Sequence, residues 1–308
     1  MTTLSEHLED YLALRRALGY KLVSHGRLLP GFLAQLDAHG ESRITVRQAQ
    51  AWACLATSDA ELAHRLSLVR GLAVYLSAFD PATEVPPARL APGGVGRVTP
   101  YLYSTPQLQT LLAAAGRLEP PAWGATMATL IGLLATPGEG MRPGEAYRLD
   151  CDQVDLVAGE LAVTSSKFAK SRVLPLHPTT VEALRDYRAR RDLVARPGEV
   201  AMFLSRAGRR RVASAQAAAT FRSLLVATAI EAPPGRRPPR LYDLRHSFAV
   251  HTLIDWHQAG VDVQARLPVL SAYLGHLVPA NTYWYLEAAP ELMAVVAGRL
   301  AASWEAGL

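Results

Sequence analysis

The spacing of apolar residues predicts that the first part of the chain is entirely helical. Apolar side chains between Leu4 and Leu14 recur at three- and four-residue intervals, which places them on one face of a helix. Similar apolar faces follow at residues 28–36, 46–55 and 62–78. The pattern therefore predicts four helices over residues 2–85.

The remainder of the chain mixes helical and strand patterns. Thr105 and Pro106 precede leucines at helical spacing, which predicts a helix with Thr105 as its N-cap and proline in its first position. Two short runs with β-branched residues, 160–164 and 172–176, predict a hairpin whose long tip is 165–171. Further helices are predicted over 122–135, 179–194, 213–230, 243–259, 267–274 and 290–304.

Proline and glycine crowd the chain between residues 81 and 96, where little apolar content remains. Such a stretch is typical of a linker between domains. We therefore predict a helical domain at 1–85, a linker at 86–100 and a second domain at 101–308. The expected fold class is mainly α with a small β-sheet, in which an all-α domain precedes a mixed α/β domain.

Composition excludes several classes of protein. Half of the 308 residues are hydrophobic and 19% are charged, unlike a disordered or collagen-like chain. Cys54 and Cys151 lie far apart, which excludes a disulfide-dense scaffold and a four-cysteine zinc module. The apolar run 126–135 is too short to span a membrane, and the acidic first ten residues do not resemble an export signal. We expect a soluble cytoplasmic protein.

The basic residues show an unusual choice of side chain. Lysine and arginine number 32 against 27 acids, a net charge of +5, yet only three of the 32 are lysines. Two of these, Lys167 and Lys170, stand close together. A GC-rich genome is the simplest explanation of the arginine bias. Because a lysine releases a proton once its pKa is perturbed and an arginine does not, the lysine pair is the first candidate for chemistry.

A second charge feature lies between Arg206 and Arg240, where eight arginines accompany a single acid, Glu231. This density favours a polyanion such as DNA or RNA near the segment. The alternative is a solvated loop whose arginines reflect codon usage.

Three further segments carry arginine, histidine or tyrosine in a fixed order. They are Gly-Met-Arg-Pro-Gly-Glu-Ala at 140–146, Leu-Tyr-Asp-Leu-Arg-His-Ser-Phe at 241–248, and Leu-Gly-His with Thr-Tyr-Trp-Tyr within 274–285. Each segment alone is compatible with packing. Together they resemble the tyrosine recombinase (phage integrase) superfamily over about residues 103–290, and residues 2–85 resemble its helical, SAM-like core-binding domain.

The resemblance implies a DNA strand-exchange enzyme that forms a covalent 3′-phosphotyrosine without metal, ATP or another cofactor. The implied catalytic residues are Arg142, Arg245, Tyr242, Lys167, His276 and the nucleophile Tyr285, with Lys170 as the alternative lysine and Glu145 orienting Arg142. Two arginines bind the phosphate oxygens, and a lysine protonates the leaving oxygen. Tyr283 competes with Tyr285 as nucleophile, but the spacing from His276 favours Tyr285, and we expect Tyr283 to pack in the core.

One position departs from the family pattern. The family usually has histidine three residues before its second arginine, whereas this chain has Tyr242, a phenol that is a poor base at neutral pH. His246 adjoins Arg245, but neighbouring residues on a helix point about 100° apart. We therefore expect that His246 does not replace the missing histidine.

The resemblance also implies double-stranded DNA as the partner and a tetramer of this chain in the recombination complex, near the nucleoid. The residues expected to contact DNA are Arg15, Arg16, Lys21, Arg27, Lys170, Arg172, Arg209, Arg210 and Arg211. The main alternative is a DNA-binding protein with a recombinase fold whose chemistry is impaired by Tyr242. An RNA-binding or helical adaptor protein is a third class, which explains the arginines but not the ordered motifs.

Overall fold

The computed structural model describes residues 3–90, 99–136, 140–164, 171–275, 282, 283 and 285. The chain divides into two compact units, and the change from the first to the second falls between Val98 and Thr99. Each unit buries its own apolar core. Helices together with one three-stranded sheet confirm the predicted fold class, mainly α with a small β-sheet.

The first unit consists of helices that each bury one apolar face. They are α1 (Leu4–Ala17), α2 (Val23–Ala38), α3 (Val46–Ala53) and α4 (Asp59–Leu76). Thr3 begins α1 by accepting the Glu6 N–H, while the Glu6 carboxylate accepts the Thr3 N–H at 2.6 Å. Thr45 and Gln48 form the same reciprocal cap at α3. These capping boxes satisfy donors that a helix start otherwise leaves unpaired, so the sequence fixes where both helices begin.

The second unit opens with helices that contribute residues to its core. They are α5 (Thr105–Gly116), α6 (Pro121–Ala135) and α7 (Pro143–Ala146). Ser104, not Thr105, caps α5, because the Ser104 hydroxyl accepts the N–H of Gln107. The apolar helix α6 is buried along its length, with Trp123 and Leu134 at most 2% exposed. Its position explains why its sequence has no polar face.

The predicted hairpin is present and is extended by one strand. The strands are β1 (Val154–Asp155), β2 (Glu160–Val163) and β3 (Arg172–Pro175), paired antiparallel in that order. Leu161 lies opposite Leu174, and both are buried. The sequence does not mark β1, because two residues are too few to show alternation. Arg172 is the first residue of β3. The register of β3 against β2 therefore determines the position of the Arg172 backbone, from which its side chain extends.

The remaining described helices include the one that carries the segment 241–248. They are α8 (Pro178–Asp192), α9 (Ser214–Ala227), α10 (Leu241–Gln258) and α11 (Val263–Tyr273). Helix α10 packs against α6 and α11 and buries Leu244, Phe248 and Leu253. Within the described residues, no helix is long and apolar enough to cross a membrane. The helix predicted over 290–304 and most of the predicted linker lie outside the described residues.

Candidate active site

Arg142 lies at the start of α7, where its side chain is fixed from two sides. Its backbone N–H and its Nη1 donate to the two carboxylate oxygens of Glu145, each at 2.9 Å. Its Nη2 donates to the carbonyl oxygen of Gly275 at 3.0 Å. The local sequence favours this geometry because proline suits a first helical turn and an acid three residues beyond the cap accepts the cap N–H.

Glu145 is the buried acid of the site, with 5% of its surface exposed. Its Oε2 accepts a hydrogen bond from Arg172 Nη2 at 2.8 Å. Burial alone raises the pKa of this carboxyl, but Arg172 and Arg142 outweigh burial and hold the pKa at about 2. Glu145 is therefore ionised at neutral pH and holds two guanidinium groups.

Arg172, which the sequence predicts as a DNA contact, is bound inside the protein instead. Its Nε donates to the carbonyl oxygen of Tyr273 at 3.1 Å, and both Nη atoms donate to Glu145. Its side chain is only 14% exposed. The buried carboxylate of Glu145 needs a charged partner. The fold brings β3 next to α7, so Arg172 is one such partner.

Arg245 is completely buried within α10. Its Nη1 donates to the carbonyl oxygen of Gly140, and its Nη2 donates to that of Leu274. Burial lowers the pKa of Arg245, and the neighbouring Tyr285 opposes this shift. Arg245 and Arg142 thus both contact the loop after α11, and Arg245 also contacts the loop before α7, from which Arg142 extends.

Both loops contain glycine where the backbone has a positive φ, 45° at Gly140 and 58° at Gly275. Residues with a Cβ adopt this region at a cost. A Cβ on Gly275 would lie 2.9 Å from Arg172 Nη1, and one on Gly140 would lie 3.0 Å from Leu274 Cδ2. Glycine therefore allows these two carbonyl groups to reach the arginines.

The Tyr285 side chain contacts α10 at His246. The Tyr285 Oη lies 3.0 Å from His246 Nδ1, and the ring centroids are 5.4 Å apart. His246 therefore contacts the predicted nucleophile, although the sequence predicts that it points away from Arg245 and does not replace the missing histidine. The relevant spacing is the one from Tyr242, because residues four apart share a face of a helix. The Tyr242 ring packs edge-on against His246 with centroids 4.9 Å apart. The four-residue spacing between Tyr242 and His246 is the sequence signal that could identify His246 as a site residue.

The two candidate nucleophiles have different surroundings. Tyr285 is 2% exposed, whereas Tyr283 is 44% exposed, so the expectation that Tyr283 packs in the core is wrong. Burial raises the pKa of Tyr285, while Arg245, through its charge and a hydrogen bond, and Arg142, through its charge, lower it. The Tyr285 phenol is therefore protonated at neutral pH and lies in a positive field.

The other predicted site residues fall into four groups. Arg211 is bound within the fold, because its Nη1 donates to the Tyr147 and Leu149 carbonyls at 3.2 and 3.1 Å and its Nη2 pairs with Asp150. Arg15 is half-buried, 4.0 Å from the Tyr20 ring centroid. The exposed ones are Arg16, Lys21, Arg27, Arg209 and Arg210. Lys167, Lys170 and His276 lie outside the described residues.

The sequence matches known recombinases along nearly its whole length. The phage integrase family matches residues 104–291. The putative integrase/recombinase y4rB of Sinorhizobium fredii is 39% identical over 99% of both chains. The putative integrase/recombinase y4rE of the same organism is 36% identical over 96% of this chain and 95% of its own. The tyrosine recombinase XerC of Pseudomonas putida is 30% identical over 88% of this chain and 86% of its own.

Solved structures of recombinases share the fold. XerA recombinase aligns with a TM-score of 0.52 and 20% identity, covering 96% of this chain and 98% of its own. The Tn1549 transposon integrase in complex with circular intermediate DNA aligns with a TM-score of 0.60 and 15% identity, covering 92% and 95%. XerH bound to a palindromic difH substrate gives a TM-score of 0.60 and 17% identity, covering 85% and 73%.

The fold and these sequence matches define an enzyme that cuts and rejoins DNA strands, a tyrosine recombinase. The chain belongs to the phage integrase family. Among the residues that the structure describes, no group of three or more histidine, cysteine or acidic side chains is placed to hold a metal ion.

Proposed function

We propose that this recombinase transfers a DNA strand to Tyr285. The position of Tyr285 carries the proposal, because its hydroxyl is in contact with His246 and Arg245 within the field of Arg142. In the cleavage step, Tyr285 Oη bonds to the scissile phosphorus and the bond from phosphorus to the 5′-oxygen breaks. The product is a 3′-phosphotyrosyl link, which keeps the energy of the phosphodiester available for rejoining without ATP.

Arg142 and Arg245 bind the non-bridging oxygens of the phosphate in this proposal. These oxygens gain negative charge as the tyrosine attacks, and a guanidinium offers paired donors that stay charged at physiological pH. Glu145 and Gly275 hold Arg142 before any substrate arrives, and two backbone carbonyls hold Arg245. Preorganised donors of this kind contribute about 3 kcal/mol each to transition-state stabilisation. Glu145 acts as a positioning residue.

Protonation of the leaving 5′-oxygen is assigned to Lys167, with Lys170 as the alternative. A lysine can give up its proton in the transition state, which an arginine cannot. His276 donates a further hydrogen bond to the phosphate. These assignments rest on the sequence segments that resemble the family, and single substitutions of Lys167 and Lys170 to alanine distinguish the two lysines.

The substrate in this proposal is double-stranded DNA, bound by four copies of the chain on two sites. The structures of the Tn1549 integrase and of XerH contain DNA, which supports a DNA partner. The exposed basic residues suited to phosphate contacts are Arg16, Lys21 and Arg27 in the first unit and Arg209 and Arg210 in the second. Such an enzyme works where the chromosome lies, in the cytoplasm at the nucleoid.

DNA binding without cleavage is the alternative, and Tyr242 is the observation that favours it. A phenol with an ordinary pKa near 10 is a poor base for activating a nucleophile. The structure places the imidazole of His246 within hydrogen-bond distance of Tyr285. This contact supports the active enzyme over the alternative.

Covalent capture in the source cell tests the proposed function. Cells that express the wild-type chain, Tyr285→Phe or Tyr283→Phe are lysed in SDS, the protein is purified under denaturing conditions, and the attached DNA is sequenced. We expect adducts at a repeated site for the wild type and for Tyr283→Phe, and none for Tyr285→Phe. Adducts that persist in Tyr285→Phe contradict the proposal. DNA enriched under native conditions without any covalent adduct supports the binding-only alternative.

A further inference from the structure

We propose that His246 accepts the proton of Tyr285 when the tyrosine attacks the phosphate, and that Tyr242 positions the imidazole for this transfer. The inference rests on the proposed function, because it takes Tyr285 as the nucleophile. It assigns a catalytic role to a residue that lies outside the family's usual histidine position.

The geometry of the pair meets the requirement for proton transfer. The distance of 3.0 Å between His246 Nδ1 and Tyr285 Oη lies within the range in which a general base must approach the proton that it removes. The tilted ring pair, with centroids 5.4 Å apart, limits the orientations that the imidazole can take relative to the phenol. No movement of α10 is required to bring the two groups together.

Helix geometry explains how His246 reaches this position. Position 242, where the family usually has histidine, and position 246 lie one turn apart on the same face of α10. Tyr242 occupies the first position and packs its ring edge-on against the imidazole. The chain thus has tyrosine where a base is usual and an imidazole one turn further along the helix.

The surroundings of Tyr285 create the need for a base. Burial raises the pKa of this phenol and Arg245 offsets only part of the shift, so the hydroxyl is protonated at neutral pH. A neutral imidazole has a ring nitrogen that accepts a proton, as such a base requires. The charged or titratable groups that act on Tyr285 are Arg245 and Tyr242 on α10 and Arg142 at the start of α7.

During cleavage the Oη–phosphorus bond forms, the phosphorus–5′-oxygen bond breaks, the phenol proton moves to Nδ1 of neutral His246, and the 5′-oxygen takes a proton from the lysine assigned above. During rejoining the incoming 5′-hydroxyl attacks phosphorus and returns its proton to the lysine. The Oη–phosphorus bond then breaks, and the imidazolium of His246 returns its proton to Tyr285.

A leaving-group substitution separates the base from the acid. The full-length protein is mixed in excess with a duplex that carries the site recovered by covalent capture, made once with the natural 5′-oxygen and once with a bridging 5′-sulfur at the scissile phosphate. A thiolate leaves without protonation, so the sulfur duplex removes the need for an acid but not the need for a base. The variants are His246→Ala and His246→Gln, and His251→Ala on the same helix is the matched control.

We expect both His246 variants to cleave at least about 10²-fold more slowly on both duplexes, while His251→Ala retains the wild-type rate. The wild-type rate should reach a plateau as pH rises through the imidazole range, and His246→Gln should lose this plateau. Added imidazole should restore cleavage by His246→Ala, because it fits the space left by the side chain, but not by Tyr285→Phe. Rescue by a free base is an effect that a purely structural role would not produce.

Several results would overturn the inference. Wild-type rates in His246→Gln would show that no base acts there. A slow variant with the wild-type pH profile and no rescue by imidazole would show that His246 only packs against Tyr285. DNA affinity and thermal unfolding of each variant establish that it is folded, and His246→Gln, which keeps the side-chain volume, decides the question if His246→Ala does not fold. A wild-type protein without Tyr285 adducts would instead contradict the proposed function itself.

Discussion

Arg172 Nη2 lies 2.8 Å from Glu145 Oε2, and this buried ion pair joins the first strand residue after the hairpin tip to the first turn of α7. The same carboxylate holds Arg142. One acid therefore links the strand that follows the lysine segment to an arginine proposed to bind phosphate. The carboxylate that orients Arg142 is therefore itself bound by a residue 27 positions further along the sequence.

Replacing this acid should affect both stability and catalysis. Glu145→Gln keeps the shape of the side chain but leaves two guanidinium groups without their counter-charge. We expect the free energy of unfolding in urea to fall by about 3 kcal/mol and single-turnover cleavage to slow by about 10²-fold. Asp150→Asn, which breaks the partly exposed pair with Arg211, should cost less than about 1 kcal/mol. Equal losses of unfolding free energy in Glu145→Gln and Asp150→Asn would contradict the role of Glu145 in holding the two arginines.

The same ion pair predicts a pH dependence of stability. The pKa of Glu145 is about 2 in the folded protein, below its ordinary 4.5, so its contribution is complete above the ordinary value and is lost as pH falls toward the folded one. The difference between these two pKa values corresponds to on the order of 3 kcal/mol of unfolding free energy.

Asp243 has the opposite pH dependence. Burial raises the pKa of Asp243 to about 6, so the contribution of Asp243 to stability decreases as pH rises from about 4 to 6.

Urea unfolding of the wild type and of Glu145→Gln, compared at several pH values, isolates Glu145 from Asp243 because Asp243 is common to both proteins. The gap in unfolding free energy between them should be largest above about pH 5 and should close toward pH 2. A gap that stays constant over this range would show that the ion pair does not shift the pKa of Glu145.

The glycine after α11 should be sensitive to a single methyl group. Gly275→Ala places a Cβ 2.9 Å from Arg172 Nη1 and disturbs the carbonyl that accepts Arg142. We expect cleavage to slow by at least about tenfold. Gly260→Ala is the matched control, since it has a similar positive φ of 72° with no atom within 4 Å of the added Cβ. Similar activity losses in both variants would show that backbone strain, and not the arginine contact, is responsible.

Exposed arginines and arginines that are bound within the protein should differ in how they affect DNA binding. Arg210 is exposed, so Arg210→Ala should weaken binding and reduce the slope of log Kd against log salt by about 1. Arg172 is bound to Glu145 and Tyr273, so Arg172→Ala should leave that slope unchanged and slow cleavage. Fluorescence anisotropy over a range of salt concentrations measures both. A reduced slope for Arg172→Ala would show that Arg172 contacts DNA.

Tyr242 should act through its ring and not through its hydroxyl. Tyr242→Phe keeps the edge contact with His246 and should cleave within about twofold of the wild-type rate, whereas Tyr242→Ala should be at least about tenfold slower. Single-turnover cleavage of the natural duplex measures both rates. A large loss in Tyr242→Phe would instead assign a role to the hydroxyl, such as a hydrogen bond to the phosphate.

Local sequence patterns predicted the fold class well, because helix caps, apolar faces and a hairpin are properties of short segments. The helices of the first unit, the apolar helix α6 and the pairing of β2 with β3 all follow from residues close together in the chain. Strand β1 was missed because its two residues form a strand only through their partner β2. The boundaries 1–85, 86–100 and 101–308 remain a prediction.

Contacts between distant segments account for the differences at the site. The role of Arg172 depends on Glu145 and Tyr273, which no local pattern relates to β3. The prediction for His246 compared it with its neighbour Arg245, although its spacing from Tyr242 determines its direction on α10. The exposure of Tyr283 is likewise not indicated by its spacing from His276. Residue types and order are visible in the sequence, but side-chain partners require the fold.

The identity of the nucleophile is tested most directly by locating the covalent bond on the protein. The wild-type adduct is trapped with the sulfur duplex, digested with nuclease and trypsin, and the peptide that carries a nucleotide is sequenced by tandem mass spectrometry. We expect a phosphonucleotide on Tyr285, in the same peptide that contains Tyr273 and Tyr283. A nucleotide on Tyr283 or Tyr273, with Tyr285 unmodified, would contradict it.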